Sequence, residues 1–114
     1  MVEQPDLQYL YLTTTGRRTG LPREVEIWFT ERGGCYYLIA EHRERTHWVQ
    51  NLLANPAVRF RVGDVTFIGG ARVVDASADS ELVRHVRALS DTKYGWSDGL
   101  IVELTPASAL EPPP

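Results

Sequence analysis

From Arg23 to Glu31 the chain alternates with a period of two: Val25, Ile27 and Phe29 share one face, and Glu24, Glu26, Trp28 and Thr30 share the other. Successive side chains of a strand point to opposite faces, so this pattern predicts a half-buried strand. The signature recurs. Leu7 to Thr14 sets Leu10 and Leu12 against Tyr9 and Tyr11, and Ala57 to Val62 sets Val58, Phe60 and Val62 against Arg59 and Arg61. Cys35 to Ala40, Val65 to Asp75 and Leu100 to Leu104 complete six strands, rich in β-branched and aromatic residues. Gly33-Gly34 and Gly63-Asp64 mark turns, and Gly69-Gly70 in the longest run predicts a bulge or bend. Cys35, inside a strand, reads as a buried thiol. Glu24 and Glu26 are expected on an exposed face or paired across the sheet with Arg59 or Arg61.

Two stretches break the alternation. Thr46 is placed to cap a short helix, His47 to Ala54, with Trp48, Val49, Leu52 and Leu53 on one apolar face and Asn55-Pro56 as its stop. Ser77 is placed to cap a second helix to about Leu89 or a little beyond, buried along Leu82, Val86 and Leu89. Glu41 to Arg45 and Asp91 to Asp98 read as loops, the second carrying Tyr94 and Trp96. Three strands, helix, two strands, helix, strand is a mainly β (α+β) order, and with the glycine kink it fits a small closed or split β-barrel of about six strands with two short helices. At 114 residues the chain suits a single domain over 1–114, with residues 1–6 and 106–114 as flexible ends.

A net charge of -3 argues against nucleic acid as a partner, so any basic cluster is local. One cysteine excludes an internal disulfide and a cysteine-cluster metal site, and His42, His47 and His85 lack metal-ligand spacing. With no apolar run near the roughly 20 residues that span a bilayer and a polar start from Met1 to Asp6, the expected location is cytoplasmic.

The basic cluster is Gly16-Arg17-Arg18-Thr19-Gly20, a glycine-bounded turn between the first two strands. Two guanidinium groups, a hydroxyl and turn amides make an anion cradle; the same residues also suit a solvated hairpin tip.

Together with Trp48-Val49-Gln50-Asn51-Leu52-Leu53-Ala54-Asn55-Pro56, the stretch Leu12 to Arg23 resembles the two signature blocks of the deazaflavin (coenzyme F-420)-dependent nitroreductase and quinone reductase family. The later Val62-Gly63-Asp64 and Phe67 to Val74 are similar too, with a weaker echo in Lys93 to Trp96. The resemblance implies the split barrel shared with flavin mononucleotide (FMN) binders. It also implies a deazaflavin cofactor, with FMN as the alternative, and favours the cradle. Carried over, Arg17, Arg18 and Thr19 bind the cofactor phosphate, Gly16 and Gly20 let the backbone approach, and Trp48 and Asn51 match the family's Trp-x-x-Asn helix beside the cofactor. Trp48 reads equally as a core residue, and Asn51 as a hydrogen-bonding group within the fold. Thr46 and Val49 stand where many members have proline and tyrosine, the first strand begins almost at once, and the Glu41–Arg45 loop is short. These departures fall at the ring and acceptor end.

The activity implied is an oxidoreductase passing a hydride from reduced deazaflavin to a small unsaturated acceptor such as a quinone or nitroaromatic; the cofactor does the chemistry and the protein aligns it. His47, Tyr94 and Trp96 are the candidate donors for charge developing on the acceptor. Arg43 and Arg45 either extend the anion surface or pair with local carboxylates. The alternative function is a non-catalytic split-barrel protein binding FMN, a tetrapyrrole or another small ligand. A homodimer through Trp28 or the Tyr9/Tyr11 face is the assembly to test.

Overall fold

Each alternating stretch becomes extended chain, but one of them is cut in two. In the computed structural model, which describes residues 7–110, the strands are β1 (Tyr9–Thr15), β2 (Pro22–Trp28), β3 (Thr30–Arg32), β4 (Cys35–Ala40), β5 (Ala57–Val62), β6 (Val65–Val73) and β7 (Leu100–Leu110). They form one antiparallel sheet in the order β2-β1-β5-β6-β7-β4-β3. A 3-10 turn (Arg43–Arg45) leads into α1 (His47–Ala54), and α2 (Ser80–Tyr94) connects β6 to β7. The architecture is the split barrel, with seven strands rather than six.

The two edges of the sheet, β2 and β3, are consecutive in sequence and meet at Phe29. The barrel therefore has a seam crossed by the chain itself. The single strand expected from Arg23 to Glu31 breaks there because α2 takes the backbone groups of Phe29. The Phe29 amide donates to the Tyr94 hydroxyl at 2.9 Å. Its carbonyl accepts from Tyr94 at 2.8 Å and from the Lys93 ammonium at 3.0 Å. Peptide groups satisfied in this way are not available to a strand ladder. Lys93 also sits 3.9 Å above the Phe29 ring, a cation–π contact.

Helix α2 differs from expectation at both ends. Asp75, not Ser77, organises the approach: its carboxylate accepts from the amides of Ser77 and Ala78, and the helix starts at Ser80. It runs past Leu89 through Tyr94, and Gly95, with φ +73°, closes it in the left-handed conformation that glycine adopts most readily. The extra turn, expected as loop, is what delivers Lys93 and Tyr94 to the seam.

The bend foreseen at Gly69-Gly70 is a register shift between Ile68 and Gly69 in the β6–β7 pairing. A Cβ on Gly69 would lie 2.1 Å from the Thr105 carbonyl oxygen, so only glycine lets β7 approach so closely. Pro106 pairs opposite Gly69, and a bulge is a place where a residue without an amide hydrogen fits a sheet. The chain from Pro106 to Leu110, expected as a flexible end, is therefore strand; the expectations for residues 1–6 and 111–114 lie outside the described residues.

Two apolar clusters fill the molecule. Inside the barrel, Leu10, Leu12, Leu38, Phe60, Val102 and Leu104 pack with Val49 and Leu52 of α1, which plugs one end. Outside it, Val86 of α2 packs on Tyr37, Val74 and Ile101. Strand β4 is thus covered on both faces, which explains its nearly continuous apolar sequence. Leu53 and Leu89, assigned above to buried stripes, are exposed, while Asn51 of α1 and Ser90 of α2 are buried. On the outer sheet face the anticipated Glu–Arg pairing runs through a tyrosine, because β1 separates β2 from β5. Tyr11 donates to Glu26 at 2.7 Å, and the Arg61 guanidinium lies 4.3 Å over its ring. Cys35 is half-buried, 3.8 Å from the Thr105 hydroxyl.

Candidate functional site

The β1–β2 turn is built by its own backbone. Gly16 donates to the Leu21 carbonyl and Gly20 to the Gly16 carbonyl, both at 2.8 Å, while the Thr19 hydroxyl accepts from the Leu21 amide at 3.2 Å. Gly20 has φ +73°. A Cβ on Gly16 would sit only 3.0 Å from the Thr19 hydroxyl oxygen, so the turn is pinched where a side chain would fill it.

Asn51 anchors this turn to α1. Its carboxamide oxygen accepts from the Arg17 amide at 3.2 Å and from the Arg17 guanidinium at 2.9 Å, and its nitrogen donates to the Thr14 hydroxyl at 3.1 Å. Both Asn51 and Thr14 are buried. Arg17 also approaches His47, with Nη2 3.2 Å from Nδ1. A guanidinium only donates, so in this contact Nδ1 is the acceptor. Neither Arg17 partner is a carboxylate, so its positive charge stays uncompensated. Arg18 is exposed and makes no hydrogen bond or ion pair among the described residues. A cleft of about 580 Å³ opens here, lined by Arg17, Arg18, Arg23, His47, Trp48 and a single carboxylate, Glu24. Uncompensated guanidinium groups over a pinched glycine turn fit a phosphate, which arginine binds by strong, often bidentate contacts.

A second cleft, of about 570 Å³, follows the seam. Its walls include Trp28, Tyr94, Trp96 and Trp48, with Thr30 and Thr46. Trp28 and Tyr94 are stacked, with centroids 4.3 Å apart and planes 4° from parallel, and Trp96 meets Trp28 edge-on at 6.5 Å. The Tyr94 hydroxyl is committed to backbone: besides Phe29 it contacts the Gln8 carbonyl at 2.7 Å. Burial pushes its pKa up, against the opposing hydrogen bond from Phe29, so it stays protonated at neutral pH. Tyr94 therefore offers the cleft a ring face rather than a proton.

Trp48 lines both clefts and packs in the barrel core as well. Its place in the core, one of the two readings of its sequence position, does not keep it from bordering both clefts. The proposed site residues thus divide: Gly16, Arg17, Arg18, Thr19, His47 and Asn51 gather at the turn, Tyr94 and Trp96 gather at the seam, and Trp48 stands between them. Gly20 belongs to the turn's backbone and does not line its cleft. Arg43 pairs with Asp98 at 3.2 Å and lines neither cleft. Sequence reasoning did not mark Thr14 or the stacking role of Trp28. For Thr14 a signal existed: a hydroxyl at an inward position of β1, beside the turn, needs a buried partner.

Among the described residues no group of three or more histidines, cysteines or acids is placed to hold a metal, and no helix is long and apolar enough to cross a membrane.

A family model described as F420H(2)-dependent quinone reductase matches residues 3–98. No curated protein matches the chain. Among solved structures, an F420-H2-dependent reductase, FDR-A, superposes with a TM-score of 0.69 at 22% identity, covering 91% of this chain and 99% of that one. HutZ, the haem storage protein of Vibrio cholerae, superposes at 0.71 and 22% identity over 89% of this chain and 82% of its own. A conserved hypothetical protein from Mycobacterium tuberculosis gives 0.73 at 20% identity over 90% and 75%. At these identities the superpositions establish the fold.

Proposed function

The chain belongs to the F420H(2)-dependent quinone reductase family, whose cofactor is coenzyme F420, and from that premise we propose that it is an oxidoreductase reducing a quinone, nitro compound or similar flat acceptor in the cleft along its seam. The observation that carries this reading is the shared wall. Trp48 borders both the cationic turn and the aromatic cleft, so a ligand with an anionic tail and a planar ring can occupy both at once.

In this arrangement Arg17, Arg18 and Thr19 hold the phosphate, and Gly16 and Gly20 shape the turn around it. Asn51 does not need to touch the cofactor: it fixes the Arg17 backbone and guanidinium from beneath. His47, with Nδ1 turned to Arg17, offers Nε2 as a further polar contact. When bound, the cofactor supplies the hydride. The protein contributes alignment, and a cleft walled by Trp28, Tyr94 and Trp96 that excludes water from the flat acceptor. Tyr94 acts as a platform, its hydroxyl being engaged elsewhere.

The test has two stages. Purified protein is titrated with oxidised F420, and separately with FMN, by fluorescence. Reduced F420 is then mixed with menadione or a nitroaromatic, and the return of the oxidised cofactor's absorbance is followed. Turnover above the protein-free rate supports the proposal. Binding without turnover leaves a carrier of the cofactor, and FMN binding without F420 binding overturns the assignment. The proposal includes a cytoplasmic location, tested by fractionation. It also includes a homodimer using the exposed Trp28 or Tyr9, tested by solution mass with and without cofactor.

A further inference from the structure

We propose that Thr30 and Thr46 are the polar anchors of the seam cleft, donating their hydroxyls to the carbonyl or nitro oxygens of a planar acceptor. The inference rests on reading that cleft as the acceptor site. Among the described residues, Thr30 Oγ1 and Thr46 Oγ1 are the two buried side-chain polar atoms that make no hydrogen bond. Both residues line the seam cleft. A buried hydroxyl without a partner has lost water and gained nothing, so two such groups in one cleft mark unused binding capacity.

Several other polar groups of the cleft wall are engaged, while the Tyr9 hydroxyl and the indole N–H groups of Trp28, Trp48 and Trp96 are further donors on the same wall. Tyr94 is held by the Phe29 and Gln8 backbone, the Ser90 hydroxyl donates to the Trp96 carbonyl at 2.6 Å, Tyr37 donates to Glu103 at 2.8 Å, and Glu26 accepts from Tyr11. Glu41 and His42 face each other at 4.0 Å, exposed to solvent.

Thr46 has a second distinguishing feature. It occupies the position before α1 where a threonine hydroxyl ordinarily accepts from the helix's first amides, yet it makes no such bond. The capping foreseen from the sequence is positional only, and the hydroxyl is left for another partner. Thr30, 94% buried, follows Phe29 directly at the strand break. Rotation about χ1 in either residue exchanges hydroxyl and methyl between staggered positions without moving the backbone. An oxygen-bearing flat molecule uses both the aromatic walls and these donors, whereas a hydrocarbon of the same outline uses only the walls.

Equilibrium dialysis of the cofactor-free protein against menadione and against 2-methylnaphthalene separates the two contributions. Wild type is expected to bind menadione more tightly. Replacing both residues by valine (Thr30→Val, Thr46→Val) is expected to weaken menadione binding about tenfold, the worth of two ordinary hydrogen bonds, and to leave 2-methylnaphthalene unchanged. The serine pair (Thr30→Ser, Thr46→Ser) is expected to restore menadione affinity. Because neither hydroxyl has a partner, the valine protein should melt no lower than wild type. Undiminished menadione binding by the valine protein, or an equal loss for both ligands, overturns the assignment of the hydroxyls while leaving the cleft as the acceptor site. Absence of menadione binding by wild type removes the acceptor site and this inference with it. Should the double variant fail to fold, Thr46→Val alone, at a half-buried position, carries the test with an expected loss of about threefold.

Discussion

The turn and the seam are built on opposite plans. The turn is local: five consecutive residues make it, and two side chains from α1, Asn51 and His47, meet its Arg17. Its polar groups are tied into a continuous chain of hydrogen bonds from Thr14 through Asn51 to Arg17 and His47. The seam is assembled at long range. Trp28 and Phe29 come from the sheet edge, Tyr94 and Lys93 from the end of α2 about 65 positions later, and its walls are mostly ring faces. In the function proposed above, the first grips charge and the second takes flat molecules. A protein that must keep one ligand while exchanging another has use for both.

The largest expected effect falls on the turn alone. Arg17→Ala together with Arg18→Ala should weaken F420 binding tenfold or more, since each charged hydrogen bond is worth about 1.5–3 kcal/mol, while menadione binding to the cofactor-free protein stays as it was. Fluorescence titration of F420 and dialysis of menadione read the two sites separately. Equal losses at both would erase the division.

Tyr94→Phe comes next and belongs to the seam. It leaves the Phe29 amide without its acceptor and should cost about 1–3 kcal/mol of stability in a denaturant titration, while the ring and hydride transfer persist. A collapse of turnover at unchanged stability would instead make the hydroxyl a catalytic donor.

Asn51→Asp sharpens the account of the turn. A carboxylate there still meets the Arg17 donors, so the fold should hold. It also compensates the arginine charge and repels phosphate, so F420 affinity should drop several-fold. Affinity equal to wild type would mean that the charge of Arg17 is not what binds. The smallest effect expected is that of Trp28→Ala, which removes one half of a stacked pair worth about 0.5–1.5 kcal/mol. It should weaken menadione more than F420.

The same contrast governs how far the sequence could be read. The strands were legible because alternation is local, and the β1–β2 turn because its residues are contiguous between two glycines. The break at Phe29 was not, since nothing in Arg23 to Glu31 departs from alternation; the cause is a hydroxyl and an ammonium from α2. The end of α2 was misplaced because Asp91 to Tyr94 carries no apolar stripe, and its helical state depends on docking at the seam. The strand beyond Pro106 was hidden by proline's reputation and is permitted by the missing side chain of Gly69. Asn51 was singled out through the resemblance of the stretch from Trp48 to Asn51 to the family's Trp-x-x-Asn helix, but its hold on Arg17, 34 positions earlier, has no local signal.

A barrel that stays open has two raw borders, and raw borders invite other chains to add strands until fibres grow. Here each border discourages recruitment. The β2 border begins with a proline and carries Arg23, Glu24 and Glu26, while the β3 border is three residues long, two of them charged. The gap that gives the protein its aromatic cleft is thereby kept from becoming a template for aggregation.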